Sequence, residues 1–127
     1  MNDTNGEGLY RQLLAAVALL AAPAPDQLAW LEKHAVPVDE IALNFDDAAV
    51  IAPQLGDEGW LAPEALADIT RMNGLLDRLT ADEGSTVWTG QGLRTHDHWK
   101  RIRQEAERFL QAEGETERTL PFAQTLH

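Results

Sequence analysis

The sequence has no cysteine. That excludes disulfides, iron–sulfur clusters, thiolate zinc sites and cysteine nucleophiles. Serine is nearly absent: Ser85 is the only one. No Gly-x-Ser-x-Gly surrounds it, so the usual serine-hydrolase signature is missing. No glycine-rich loop is followed by Lys-Ser or Lys-Thr, and Gly90-Gln91-Gly92 is too short to cradle a phosphate. There is no Glu-x-x-His for a di-iron bundle, no His-Glu-x-x-His for a zinc protease and no Asp-x-Asn-x-Asn-Gly for calcium. No internal repeat of about 20–50 residues is present, which removes solenoids.

Positive charge is also scarce. Lys plus Arg number 10 against 21 Asp plus Glu, a net charge of -11 with a pI near 4.6. Nucleic-acid phosphates and anionic membranes would repel such a chain, so neither is expected as a partner. Long apolar runs are missing too. Residues 9–22, LYRQLLAAVALLAA, fall short of the about 20 apolar residues that span a bilayer. A short apolar run before Pro23-Ala24-Pro25 resembles an export signal, but Asp3 and Glu7 precede it and Arg11 is the only nearby cation. We read it as a retained, buried helix and expect a cytoplasmic location.

What is present fits one helical domain. The 127 residues are 44% hydrophobic, enough for a sizeable core. Leu9, Leu13, Leu14, Val17 and Leu20 keep the spacing of a buried helix face, and the alanines between them allow cover on several sides. Pro23 and Pro25 end this helix, and Pro25 suits the first turn of the next, which runs to about His34 with Leu28, Leu31 and Ala35 inward. Two readings fit 38–55: one helix from Val38, or a turn followed by a helix from Phe45. We take the second, with Asn44 and Asp47 as a capping pair and Pro53 ending the helix near Ala52. Gly56 and Gly59 mark a turn. Pro63 opens the clearest helix, with Leu66, Ile69, Leu76 and Leu79 on one face. Gly74 in its middle suggests that another element packs closely there. Thr89 is placed as the cap of a short turn, and His96 or Asp97 starts a last helix carrying Trp99, Ile102, Ala106, Phe109 and Leu110 inward. The expected fold is all-α: a compact single-domain bundle of about five helices with irregular loops near 56–62 and 81–96. Residues 1–7 and 115–127 are expected to be mobile or loosely packed.

The acidic excess is uneven. Residues 1–90 hold 15 acids against four bases, while residues 91–127 hold six of each. Three acidic pairs, Asp39-Glu40, Asp46-Asp47 and Asp57-Glu58, lie between Pro37 and Trp60. They read either as a solvated surface or as a recognition face for a basic partner. Trp60 follows the last pair and either closes over a helix pair or serves as an exposed aromatic anchor. Trp30, Trp88 and Trp99 read as core packing.

His96 and His98 are i, i+2: on a helix they point apart, and only extended backbone would bring them to one face. No catalytic residue, metal or cofactor is assigned. The expected function is a small acidic protein-interaction module. Its most concrete form is an immunity or antitoxin-like bacterial protein that neutralises a basic partner such as a toxin, through Asp39, Glu40, Asp46, Asp47, Asp57, Glu58 and Trp60. Two alternatives remain. One is a ligand-binding protein or enzyme with an inter-helix pocket near His34, Ser85, His96 and His98. The other is a regulatory or structural subunit, monomeric otherwise, that homodimerises through the Ala-rich first helix.

Overall fold

The computed structural model describes residues 2–81 and 88–113. These form α1 (Asn2–Ala21), α2 (Ala24–His34), α3 (Asp39–Ala49), α4 (Ala52–Asp57), α5 (Pro63–Ala81), α6 (Gly90–Thr95) and α7 (Asp97–Ala112). The fold is all-α, with five long helices and two short ones. Ser85 and the tail 115–127 lie outside the described residues.

The first helix is the axis of the molecule. Leu13, Leu14, Ala16, Val17, Ala18, Leu19 and Leu20 are all buried. Five consecutive buried positions mean cover on every side, because a helix turns about 100° per residue. Packing against α7 and α3 supplies most of that cover, with α4 adding to it. The Ala-rich stretch of this helix therefore lies inside the protein's own core. The helix also begins earlier than expected: residues 2–8, expected in part to be loose, continue it. Gly6 matters there. It is buried, and a side chain on it would collide with the Trp60 ring.

Among the described residues no single helix is long and apolar enough to cross a membrane. Gly6–Ala21 and Ala24–His34 reach the required length only together, and the chain bends by 117° between them.

That bend exposes a problem that Gln27 solves. The last carbonyls of a helix have no partner within it, and here they end inside the core. Gln27 is fully buried, and its Nε2 donates to the Leu19 carbonyl (2.9 Å) and the Leu20 carbonyl (3.2 Å). Its Oε1 accepts from Arg103 Nη1 of α7 at 2.8 Å. One amide thus joins α1, α2 and α7. Burial lowers the Arg103 pKa from its ordinary range, so the guanidinium depends on this acceptor.

The segment 38–55 follows the reading not preferred from sequence. A helix starts at Asp39 and ends at Ala49, so Asn44 lies inside it rather than capping it. Asp39 and Glu40 in its first turn complement the helix dipole, and Val38 contributes no side-chain cap. Pro53 explains the end: its ring would clash with the carbonyl of Ala49, four residues back. Instead of closing a helix near Ala52, Pro53 sits in the first turn of α4. The loops are correspondingly shorter than expected, because α4 takes in Gly56 and Asp57 and α6 takes in Gly90 to Thr95. Gly59, at φ +88°, then reverses the chain. The Trp60 amide donates to the Leu55 carbonyl at 2.8 Å, the Schellman closure that a left-handed residue permits.

The two C-terminal helices match their expected caps. Thr89 Oγ1 accepts from the Gly92 amide at 3.0 Å, and His96 Nδ1 accepts from the His98 amide at 3.1 Å. Trp99, Ile102, Ala106, Phe109 and Leu110 of α7 are buried. Gly74 departs from expectation: a side chain there would meet nothing within 4 Å.

Two predictions follow from these contacts. Gln27→Leu removes the Leu20 carbonyl's donor, leaves the Leu19 carbonyl with only the Ala22 amide at 3.3 Å and strips a half-buried guanidinium of its acceptor, and should lower stability by about 2–4 kcal/mol. A urea midpoint unchanged from the parent would show that the amide is dispensable. Gly74→Ala, which removes a mid-helix glycine from open space, should raise stability by about 1 kcal/mol, read from the same midpoint.

Candidate functional site

Helical periodicity sorts α3 into two faces. Ile41, Ala42, Phe45 and Ala49 are buried against the core. The opposite row is Asp39, Leu43, Asp46 and Val50, at i, i+4, i+7 and i+11, with Glu40 and Asp47 beside it. Leu43 is 48% exposed and Val50 77%, and they are the exposed large hydrophobics among the described residues. Both therefore stand within the acidic row. Leu43 and Val50 alternate with the carboxylates along this row, Asp46 lying between them, so each adds apolar area to an acidic face.

The electrostatics are those of a surface lacking a counter-charge. The Asp46 carboxyl is raised above the ordinary aspartate value of 3.8 by partial burial, then by the charges of Asp77 on α5 and Asp47. Among the described residues none of Asp39, Glu40, Asp46, Asp47 and Asp77 has an ion-pair partner; the cations pair elsewhere, Arg11 with Glu7 and Arg71 with Asp68 and Glu105. Glu105 behaves oppositely. Burial pushes it up, but Arg108 and Arg71 outweigh burial and hold it below its ordinary value of 4.5.

The remaining expected residues are placed differently. Asp57 and Glu58 are exposed at the end of α4, where Gln54 Nε2 donates to Glu58 at 3.1 Å. Trp60 is half-buried. Its ring stacks on Tyr10 of α1, centroids 5.7 Å apart and planes at 29°, and covers Gly6. Tyr10 in turn donates its hydroxyl to Glu113 at the end of α7. The four acids on α3 thus share one face, Asp57 and Glu58 stand on another element, and Trp60 is a clasp between the α4–α5 turn and α1.

Leu43, Val50 and Asp77 were missed. The signal for the first two was available: they complete the Asp39–Asp46 row once a helix is begun at Asp39. Asp77 had no local signal, because its approach to Asp46 depends on the packing of α5.

The histidines named for an inter-helix pocket take packing and capping positions. His34 packs against Trp30 at 4.7 Å between ring centroids. His96 and His98 come within 5.1 Å because His96 is extended (φ -70°, ψ 134°), so the helical reading of that pair does not hold. Among the described residues no group of three or more His, Asp or Glu is placed to hold a metal. A groove of about 300 Å³ is bordered by Arg71, Gly74, Leu75, Arg78 and Arg101, and none of these histidines reaches it.

The raised Asp46 value fixes the sign of a pH effect. Ionised Asp46 weakens the native state, so its unfavourable contribution grows as pH rises through the folded value and vanishes below 3.8. Asp46→Asn should therefore be more stable than the parent at about pH 7, with the advantage fading towards about pH 3. Urea midpoints at the two pH values check this, and an equal difference at both would point away from charge. Glu105 has the opposite slope, since its stabilisation is lost as pH falls below 4.5.

Comparison with protein families, characterised proteins and solved structures finds no match to this chain. Function is therefore read from geometry and charge.

Proposed function

We propose that this protein is an interaction module whose α3 outer face binds a basic protein partner. The observation that carries this reading is the placement of Leu43 and Val50, 48% and 77% exposed, within a row of unpaired carboxylates. Such a face fits a cationic surface that offers an apolar groove. The acids would steer the encounter over long range and confer salt dependence. Leu43 and Val50 would supply the desolvated centre that limits dissociation. The spacing i, i+4, i+7, i+11 is that of a helix laid into a groove.

In its most concrete form the partner is a basic toxin that the module neutralises by covering its cationic surface. The net charge of -11 supports fast capture of such a partner. Asp57 and Glu58, exposed on α4, extend the acidic field without being needed at its centre.

The test separates the two roles. Partners are captured from the source lysate at low and high salt, and the stoichiometric one is purified. The variant Asp39→Asn/Glu40→Gln/Asp46→Asn/Asp47→Asn should associate at least about tenfold more slowly and lose most of its salt dependence. Leu43→Ser/Val50→Ser should leave association nearly unchanged and speed dissociation by about tenfold or more. If neither variant alters binding, α3 is not the interface.

A further inference from the structure

A second charge pattern lies on another flank of α5, where that helix faces α7. Arg71, Gly74, Leu75 and Arg78 follow i, i+3, i+4 and i+7 and so share one edge of α5. Arg101 joins them from α7, and the five residues border the groove of about 300 Å³. Three of the chain's 10 cations thus gather at one place in a protein of net charge -11.

The nearby carboxylates neutralise Arg71 but not Arg78 and Arg101. Asp68 pairs with Arg71 at 2.7 Å. Glu105 is shared between Arg71 at 3.3 Å and Arg108 at 2.6 Å. Among the described residues neither Arg78 nor Arg101 has an ion-pair partner. Like charges brought together without counter-charges repel, and an anion between them relieves that repulsion.

Gly74 is the independent observation. A glycine in mid-helix is unfavourable relative to alanine. Neither packing nor backbone accounts for it: a side chain would meet nothing within 4 Å, and among the described glycines only Gly59 has positive φ. What the missing side chain leaves is room among the arginines, beside the apolar wall of Leu75.

We propose that this groove binds a small molecule bearing a phosphate group. Guanidinium forks match phosphate oxygens in bidentate geometry, and Arg78 and Arg101 have unused donors. Leu75 and the bare backbone at Gly74 receive the less polar body of the ligand. The volume falls at the lower end of small-molecule sites. A long polyanion is disfavoured, because the field of the whole chain repels it beyond the groove. This site is independent of the α3 face.

The experiment is an amide NMR titration of the ¹⁵N-labelled full chain with inorganic phosphate and, separately, adenosine monophosphate, in chloride buffer. Saturable shifts are expected at Gly74, Leu75, Arg78 and Arg101, with dissociation constants in the range of about 1–10 mM. Arg78→Gln/Arg101→Gln should weaken binding at least about tenfold. Gly74→Leu keeps every arginine but fills the groove, and should weaken binding to a similar degree. Asp46→Asn/Asp47→Asn should bind no more weakly than the parent. Circular dichroism and melting confirm that each variant is folded. Tighter binding of the nucleotide than of phosphate supports a phosphorylated organic ligand, and equal binding supports the free anion. Absence of saturable shifts up to about 50 mM phosphate overturns the proposal. So does binding that survives either the arginine pair or the filled groove.

Discussion

Helix α1 cannot tolerate water along any face of its second half, and the rest of the fold follows from that constraint. Its buried run from Ala16 to Leu20 requires neighbours all round, which α7, α3 and α4 provide. Burying a helix also buries its end, and an apolar interior has nothing to offer backbone carbonyls. Gln27 answers this with one amide group that donates twice and accepts once. Its partner Arg103 extends the arrangement to α7, so the junction of three helices is held by polar groups inside an otherwise apolar core. Such junctions specify geometry more sharply than hydrophobic contact, because misplacing any member strands the others.

The surface shows a separation of charge that the net value conceals. Carboxylates without partners gather along α3 and reach Asp77, whereas Arg71 of α5 and Arg108 of α7 share Glu105 across the helix pair and Arg71 also holds Asp68. The helix α5 is the divide, with an acid on the flank towards α3 and arginines on the flank towards α7. One set of charges raises a carboxyl value and the other lowers one, so the two flanks respond to acid in opposite senses.

Features that depend on local chemistry were legible in the sequence. The caps at Thr89 and His96, the inward row of α7 and the start of α5 at Pro63 all express rules that operate within four residues. The error over 38–55 had a definite cause. Asn44 and Asp47 look like a cap. Once Pro53 is seen to exclude a helix beyond Ala49, a helix from Asp39 is the natural solution and Leu43 falls outward. Gln27 and Asp77 were out of reach for another reason. Their roles depend on which helices meet, which spacing along the chain does not encode. Four acids of the candidate face were identifiable in advance, and Leu43 and Val50 would have followed from starting the helix at Asp39.

The placement of α1 against α7 bears on how the chain is made. The central helix precedes α7 in the chain, and this principal cover begins only at Asp97, long after α1 ends at Ala21. At ordinary elongation rates the interval is roughly 4–15 s. The contact between Tyr10 and Glu113, 103 residues apart, closes nearly the full described length. During synthesis the flank of α1 that α7 covers therefore waits uncovered while its partner is still being translated.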